Sequence, residues 1–473
     1  MSYLHRRIFS SRILPLFATA VVVLLPPTAS SQSDSLSNLN ESLVQVVRKV
    51  KPSVVRIDVI SRDDQSSGSG AASQSQPSPT GLQRLVGSGL ILSSDGYIMT
   101  DAHVVRGATS INVTLENGLR KTSGKNSSNV LHARVIGKFE VADLALLKVD
   151  TVELTPIAME TSSANLREGQ LVFSVGSPEG LSNTVSLGVI SSLARQLDQD
   201  GPISYIQTDA ALNPGSSGGA LVDINGRLIG INAMFVSEGG GSERLGFAIP
   251  SRFVEFAYQT IREHGKVVWG EPGLKVQGIT PLLAQGLHLE QNSGVVVSDV
   301  TPGTPAATAG LKILDVVTHL DGKPIGNVSE YFETLFHKTP GQEVVISVLR
   351  RASRVDFALS LLPASKRSET ASSSGMSTVN LVPKLGAFCS ALSSHSQVAV
   401  EKFRSRRGVL VEAHSGEGQQ TLLAPGDVIR SVNLRPVSTV GDLEDILDHT
   451  SPTRAIVLQV ERDSQFLFLT VDQ

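Results

Sequence analysis

The chain has 473 residues, which is too long for one hydrophobic core and predicts about three domains. Hydrophobic residues make up 40% and charged residues 18%, and the formal net charge is −3; this excludes the strongly basic surface typical of nucleic-acid-binding proteins. Aromatic residues make up only 4%, while valine, leucine, serine and glycine recur, a composition that favours many short strands and turns over long helices.

Residues 1–31 have the pattern of a secretory signal peptide. Basic residues precede an apolar run from Ile13 to Leu25, and small residues suited to signal-peptidase cleavage follow it. The run has 13 residues, whereas a spanning helix needs about 20, so we expect cleavage and no stable membrane span. The mature protein is expected in an exported compartment, most simply a bacterial periplasm.

Ordered structure is predicted to begin with a short amphipathic helix. Apolar residues recur at three-to-four spacing between Leu36 and Val50, and Pro52 stops the pattern. Alternating apolar residues over 54–59 then predict a strand. Residues 62–85 are rich in Ser, Gly, Gln and Pro and cannot bury enough apolar surface to become ordered. We therefore predict a long loop inserted in a β domain.

A hairpin is predicted next, because two apolar segments flank the turn at residues 94–96, with His103 just past the second strand. Further strands are predicted at residues 111–115, 133–137 and 141–149. Asp143 stands out among apolar neighbours, where a carboxylate is costly to bury without a partner. It is either an ordinary acid at a turn before a strand or a residue that orients an imidazole.

The stretch from Asn213 to Leu221 reads N-P-G-S-S-G-G-A-L. Glycines on both sides of Ser217 allow a sharp turn and a close approach of backbone N–H groups to a reacting carbonyl, as an oxyanion hole requires. A Gly/Ser-rich surface turn has the same composition. A nucleophilic serine also needs a base and an acceptor that orients the base.

Two histidines, His103 and His132, precede Ser217 in the mature chain and are the candidate bases. His132 lies at the entrance of a strand, which suits a surface position. The order His103, Asp143, Ser217 is that of the chymotrypsin-like two-barrel proteases. Residues 215–219 also fit the Gly-x-Ser-x-Gly elbow of α/β-hydrolases, but that fold has the order Ser, Asp, His and alternates strands with helices.

Five segments in the same order resemble the HtrA (Deg) family of trypsin-like serine proteases with C-terminal PDZ domains. They are residues 87–105, 143–149, 175–191, 207–219 and 230–250. The resemblance implies a mainly β protein, with a chymotrypsin-like double β-barrel protease domain over residues 34–263 and two PDZ-like domains after it. It implies neither a metal nor another cofactor. The single cysteine, Cys389, and the lack of a Cys/His cluster with ligand spacing agree with that expectation.

The resemblance also implies roles by position. Ser217 matches the nucleophile, His103 the general base, and Asp143 the residue that orients the base. The backbone N–H groups of Gly215 and Ser217 match the oxyanion hole. The family usually has Asn where this chain has Ser216, and we expect that difference to alter loop stability more than activity.

The S1 specificity pocket is predicted from two residues before the serine. In trypsin relatives that cut after basic residues, the position six before the serine is acidic; here it is Ala211, followed by Leu212. An apolar lining favours small aliphatic side chains, because burying an unpaired Lys or Arg is costly. Residues 237–242 lie where the family has activation loops.

Residues 265–363 resemble the PDZ domain that follows the protease in this family. The resemblance implies that backbone N–H groups near Gly273 and Leu274 hold the terminal carboxylate of an extended peptide. Leu314 stands where a glycine usually precedes Asp315, so this copy is divergent. The alternative is a β domain that only packs against the protease.

After a linker at residues 364–378, the segments of the first PDZ domain recur in the same order over residues 379–473. We interpret this region as a divergent PDZ-like domain produced by internal duplication. Residues 419–423 replace the Ala-Gly-Leu helix, which leaves peptide binding and a role in assembly equally open.

The sequence thus predicts an exported, ATP-independent serine endopeptidase that degrades unfolded or damaged proteins through an acyl-enzyme. Its expected partners are unfolded proteins, peptide C-termini and further copies of the chain, in a homo-trimer or a multiple of trimers. No nucleic acid is expected. The alternative is a proteolytically inactive peptide-binding chaperone or scaffold.

Overall fold

The structure is a computed structural model. It describes residues 30–62, 82–115, 129–151, 153–162, 165–177, 184–198, 200–235, 244–363, 380–395, 403–414, 422–451 and 453–471. Residues 1–29, most of the predicted loop at 62–85, the segment 237–242 and the linker 364–378 lie outside the described residues.

The predicted amphipathic helix is present as α1, Ser30–Val50, and begins inside the range assigned to the signal. A closed six-stranded barrel follows, in which β1 pairs with both β2 and β4. Its strands are β1 Val54–Arg62, β2 Leu82–Ile91, β3 Tyr97–Asp101, β4 Ala108–Thr114, β5 Val130–Phe139 and β6 Leu144–Val149. Strand β2 begins at Leu82, so the last residues of the predicted loop range belong to a strand.

The core of this first barrel follows from the alternation in its strands. Val55, Ile57 and Val59 in β1 point inward and are fully buried. Their intervening neighbours Arg56 and Asp58 face outward, where they form an ion pair with an N–O distance of 2.6 Å. Because side chains alternate with a period of two along each strand, the apolar residues all lie on the face that points into the barrel.

A second closed barrel has the strand order β10-β11-β12-β9-β8-β7. Its strands are β7 Leu171–Gly176, β8 Thr184–Arg195, β9 Tyr205–Thr208, β10 Ala220–Asp223, β11 Leu228–Phe235 and β12 Gly246–Pro250. Two six-stranded antiparallel barrels confirm the predicted double-barrel fold class.

Helix α2, Ser251–His264, leaves the second barrel and ends at Gly265, which has the left-handed conformation (φ 71°) that a helix C-cap favours. The predicted apolar face is present: Phe253, Val254, Ala257 and Ile261 are buried. Aromatic rings from α2, from β5 and from Phe336 in the domain that follows meet edge-on or stacked. Their centroid distances are 5.2 to 6.0 Å, and these contacts join the two barrels to that domain.

The first PDZ domain contains a sheet with the order β14-β15-β16-β18-β19. Its strands are β13 Gly270–Glu271, β14 Leu274–Gly278, β15 Val295–Val300, β16 Val316–Leu320, β17 Lys323–Pro324, β18 Glu343–Arg350, β19 Ser353–Ser360 and β20 Leu362–Pro363. Its helices are α3 Pro281–Leu287, α4 Pro305–Ala309 and α5 Val328–Phe336. Strands β13 and β20 pair with each other, and β17 pairs with β16.

The C-terminal domain repeats this order as β22-β23-β24-β26-β27, with helix α6, Val440–Asp448, in the place of α5. Its strands are β21 Asn380–Val382, β22 Ala387–Ala391, β23 Val409–His414, β24 Val428–Val432, β25 Arg435–Pro436, β26 Ile456–Arg462 and β27 Gln465–Val471. The matching topology agrees with an internal duplication.

The two PDZ-like domains are fixed to each other by polar and apolar contacts. The Arg404 guanidinium donates to both carboxylate oxygens of the fully buried Asp299, at 2.5 and 2.8 Å. The Gln277 side chain accepts from Phe468 N at 2.7 Å and donates to Phe468 O at 3.1 Å. Bidentate, buried contacts of this kind hold two surfaces in one orientation.

Within the described residues, no helix has the length and apolar character that crossing a membrane requires.

Candidate functional site

His103 and Asp143 are brought together by the pairing of β3 with β6. His103 opens a short 3-10 turn directly after β3, and Asp143 directly precedes β6. In the ladder between these strands Asp101 lies opposite Leu144, so the end of one strand is beside the start of the other. Asp143 has a left-handed backbone (φ 53°), which an Asp tolerates better than most residues. The turn places its carboxylate next to the imidazole.

The His103 ring is held in one orientation by Asp143. His103 Nδ1 lies 2.6 Å from Asp143 Oδ2, and the His103 main-chain N–H donates to Asp143 Oδ1 at 2.9 Å. A carboxylate at Nδ1 fixes the proton there and leaves the Nε2 lone pair available. Burial alone would lower the pKa of His103, but the bond to Asp143 and the nearby Asp101 and Asp143 charges outweigh it, so the pKa of His103 is raised above its ordinary 6.5.

Ser217 lies in the turn before β10, at the edge of the second barrel. Gly215 and Gly218 have positive φ, 94° and 82°, and a Cβ on Gly218 would lie 2.1 Å from the Ser88 carbonyl oxygen. Glycine at residue 218 is therefore required by both backbone conformation and space. Within the described part of the chain, no residue accepts a hydrogen bond from the N–H groups of Gly215 or Ser217. Both N–H groups are therefore unpaired within the described residues.

Ser88, within β2 of the first barrel, holds this turn. It is fully buried, its Oγ donates to the Gly215 carbonyl at 2.7 Å, and its N–H donates to the Ser217 carbonyl at 2.8 Å. The same hydroxyl accepts from Ser177 N at 2.8 Å. Ser216 itself accepts weakly from Asn213 N, at 3.3 Å. Contacts from the other barrel therefore supply much of the support for the turn.

The Ser217 hydroxyl donates to the Ala233 carbonyl at 3.3 Å. A serine hydroxyl has a single hydrogen, so in this conformation it is not donated to His103. Within the described residues, no hydrogen bond joins Ser217 Oγ to His103.

A narrow pocket adjoins Ser217, and in this conformation it has no enclosed space for even a water molecule. Its apolar lining comes from Leu212 and from Ala233 and Met234 on β11. Ala211 is exposed and is not part of this lining, while its carbonyl accepts from Ser186 Oγ at 2.8 Å. Of the two predicted pocket residues, the structure brings only Leu212 to the pocket.

His132, the other candidate base, is exposed on β5 opposite Asn112 and is not part of the site. Asp101 is a residue that the sequence interpretation missed. It is fully buried at the end of β3, and one ligand atom from each of Asp101, His103 and Asp143 lies within 4.8 Å of the others. The His103 nitrogen in this group is already hydrogen-bonded, and we assign no metal to it.

The residues predicted to hold a peptide carboxylate, Gly273 and Leu274, lie at the start of β14. Gly273 has φ 88°, and a Cβ there would lie 2.3 Å from Thr304. Leu274 begins β14, the terminal strand of its sheet. At the far end of β14 the Gly278 N–H donates to Asp200 of the protease domain at 2.9 Å. An extended peptide can add only to a strand edge whose backbone groups are accessible.

The C-terminal domain differs at the equivalent edge. Strand β22 pairs with β23 on one side and with β21 on the other, where Val382 lies opposite Ala387. Val382 is buried in the core of this domain, and α6 packs against both β21 and β22. The chain itself thus occupies the edge that β14 leaves to a ligand.

Comparisons with known proteins agree with these features. The family profile of the trypsin-like peptidase domain matches residues 87–231, and that of the PDZ domain matches residues 273–361. The chain is 32% identical over 388 residues to a probable periplasmic serine endoprotease DegP-like from Pseudomonas fulva (strain 12-X), covering 81% of this chain and 78% of that protein.

Two proteins of Escherichia coli (strain K12) are also similar. The periplasmic pH-dependent serine endoprotease DegQ is 31% identical, with 90% of each chain covered. The periplasmic serine endoprotease DegP is 31% identical, with 96% of this chain and 95% of that protein covered. Among solved structures, an HtrA-type protease AlgW with decapeptide superposes with a TM-score of 0.56 at 32% identity, covering 68% of this chain and 99% of that one.

Ser88→Ala is expected to lower the free energy of unfolding by about 1 to 3 kcal/mol, because it leaves Ser177 N and the Gly215 carbonyl without their buried partner. Urea unfolding measures the change. Ser186→Ala is the matched control, since its exposed hydroxyl also donates to a backbone carbonyl, and we expect it to cost under about 0.5 kcal/mol. Equal losses in the two variants would contradict the role assigned to Ser88.

Proposed function

The chain belongs to the HtrA (Deg) family of trypsin-like serine endopeptidases with PDZ domains, and we propose that His103, Asp143 and Ser217 carry out its peptide-bond hydrolysis. The observation that carries the proposal is the His103–Asp143 pair, with 2.6 Å between Nδ1 and Oδ2. It leaves Nε2 as the basic atom. A Cβ on Gly87 would meet both Val104, the neighbour of His103, and the Ser217 carbonyl, so the two segments lie close together.

In the proposed acylation step, His103 Nε2 takes the hydroxyl proton as Ser217 Oγ bonds to the substrate carbonyl carbon. The negative charge that develops on the carbonyl oxygen accepts hydrogen bonds from the N–H groups of Gly215 and Ser217. As the C–N bond breaks, His103 returns the proton to the leaving amine. An acyl ester on Ser217 remains.

Deacylation repeats the same chemistry with water. His103 takes a proton from the water, whose oxygen bonds to the ester carbon, and the ester C–O bond breaks. The proton then returns to Ser217 Oγ, which releases the new carboxylic acid. Asp143 holds the ring through Nδ1 and stabilises the imidazolium in both steps.

For the cleaved position we propose a preference for small aliphatic side chains. Leu212, Ala233 and Met234 offer no charged partner, and an unpaired Lys or Arg would lose its hydration without compensation. Unfolded or damaged proteins expose such residues in extended segments. They are the proposed substrates of this enzyme.

The first PDZ domain is the proposed site for peptide C-termini, with the Gly273 and Leu274 backbone at the carboxylate. The relatives named above are periplasmic, and we assign this chain to the same or an equivalent exported compartment. A homo-trimer or a multiple of trimers is proposed on the family resemblance. The inactive-scaffold alternative is disfavoured, because each triad position is filled and these relatives are endoproteases.

Ser217→Ala and His103→Ala are each expected to reduce casein cleavage by the mature chain at least about 10³-fold, since they remove the nucleophile and its base. His132→Ala is the matched control for His103→Ala and should retain full activity, because His132 lies outside the site. A fluorophosphonate label should attach to the wild-type chain and not to Ser217→Ala. Equal cleavage by wild-type and Ser217→Ala chains would exclude Ser217 as the nucleophile.

The pH dependence of kcat/KM should follow the neutral form of His103. Because the pKa of His103 is raised, activity is expected to increase with pH and to reach half its plateau above pH 6.5. Initial rates on a short uncharged fluorogenic peptide measure this midpoint without titrating the substrate. A midpoint below pH 6.5 would contradict the assigned environment of His103.

A peptide with a free C-terminal carboxylate is expected to bind once per chain, because the β22 edge is covered by β21. Isothermal titration calorimetry with Ser217→Ala, which prevents cleavage, gives the stoichiometry. The same peptide with an amidated C-terminus is the control and should bind at least about tenfold more weakly, since a charge-assisted hydrogen bond contributes about 1.5 to 3 kcal/mol. Two peptides per chain would show that the C-terminal domain also binds.

A further inference from the structure

Asp101 is a buried carboxyl group without a visible partner. It is the last residue of β3, it is 0% exposed, and neither carboxylate oxygen has a hydrogen-bond partner within the described residues. Burying such a group is costly, and buried polar groups in native proteins are nearly always satisfied. An unpaired acid two residues before the catalytic base therefore needs a chemical explanation.

The groups around Asp101 come from several elements. His103 and the exposed Arg106 lie in the turn after β3, and Asp143 lies in the turn before β6. From the second barrel, Tyr205 faces the site and has its pKa raised by burial and by the Asp143 and Asp101 charges. Gly218 N–H is nearby but donates to the Asn232 carbonyl at 2.9 Å. The His103 imidazole is the titratable base within reach.

We propose that Asp101 is a positioning residue that acts through His103: it is a neutral acid at low pH, and on ionising it joins Asp143 in stabilising the imidazolium. The proposal rests on His103 being the general base of the proposed function. Because ligand atoms of Asp101 and His103 lie within 4.8 Å of each other, the protonation of one depends on the charge of the other. Burial and the Asp143 charge also raise the pKa of Asp101.

The mechanistic consequence concerns the pH at which the base becomes available. While His103 is protonated it cannot accept the Ser217 proton. An ionised Asp101 favours the protonated ring and so moves the loss of that proton to higher pH. Asp101 thereby sets the lower pH limit of activity, although it touches neither substrate nor Ser217.

Asp101→Asn tests this, because the amide keeps the shape of the side chain and cannot ionise. The midpoint of the acid limb of kcat/KM is expected to move to lower pH by about 1 unit, the size typical of a removed opposite charge at this distance. Asp150→Asn, which changes an exposed acid beyond the other end of β6, should leave the midpoint unchanged. Asp101→Ser is a second uncharged variant and should give the same shift if the amide folds poorly.

A titration that does not depend on activity accompanies the kinetics. In the Ser217→Ala background, the His103 ring nitrogens are followed by NMR with and without Asp101→Asn, and the same shift to lower pH is expected. The inference would be overturned if the variant lowered the plateau of kcat/KM but left both its pH midpoint and the NMR titration of His103 unchanged. That result would show a purely structural role for Asp101. If His103→Ala kept its activity, the role proposed for His103 as general base would be wrong. This outcome is distinguishable from a failure of the inference about Asp101.

Discussion

The site depends on one contact between the two barrels, the pair of hydrogen bonds from Ser88 to the turn that carries Ser217. The proposed base His103 and its partner Asp143 belong to the first barrel, and the proposed nucleophile Ser217 belongs to the second. Their relative position therefore depends on the interface between the barrels. Ser88 N–H and Oγ bond to the Ser217 and Gly215 carbonyls at 2.8 and 2.7 Å. Because a carbonyl shares its peptide plane with the next residue's N–H, these bonds fix the plane between Gly215 and Ser216 and the plane between Ser217 and Gly218. The Ser217 amide, in the plane between them, is held from both sides.

The Ser88 contact also explains why Ser216 can stand where the family usually has asparagine. The Ser216 hydroxyl accepts only a long bond, 3.3 Å, from Asn213 N. The turn is instead closed by Ser216 N donating to the Asn213 carbonyl and Gly219 N donating to the Ser216 carbonyl, both at 2.9 Å. Backbone bonds do not depend on the side chain at this position. Support from Ser88 then makes the identity of residue 216 less important for the register of the amides.

Much of the fold and of the site could be predicted from sequence, since both rest on local patterns. Strand alternation predicts β1, and the glycine-flanked serine and the order His103, Asp143, Ser217 predict the triad and its double barrel. Ser88 and Asp101 were missed because their roles depend on pairing between distant segments. Ser88 and Gly215 are 127 residues apart, and a serine between glycines at residue 88 looks like an ordinary strand residue.

The pocket illustrates the same limit. Position six before the serine suggested Ala211, but the backbone there turns the residue outward, and β11 supplies the wall through Ala233 and Met234. The number of residues before the serine predicts where a side chain lies only when the backbone path between the two positions is known. A strand that is distant in sequence can line one side of the pocket, and no residue next to the serine in sequence indicates this.

The first PDZ domain is attached in a way that exposes its ligand edge to the protease domain. The aromatic rings of α2 pack against Phe336 of α5, and Asp200 of the protease domain bonds to Gly278 N at the end of β14. A peptide bound as proposed, with its carboxylate at the Gly273 loop and its chain along β14, would meet Asp200 on reaching Gly278. A short peptide would leave the Asp200 bond intact, whereas a longer one would have to offer its own carbonyl to Gly278 N–H in place of the carboxylate. On the proposed binding mode, peptide length would therefore be read where the two domains touch, through competition for a single backbone N–H.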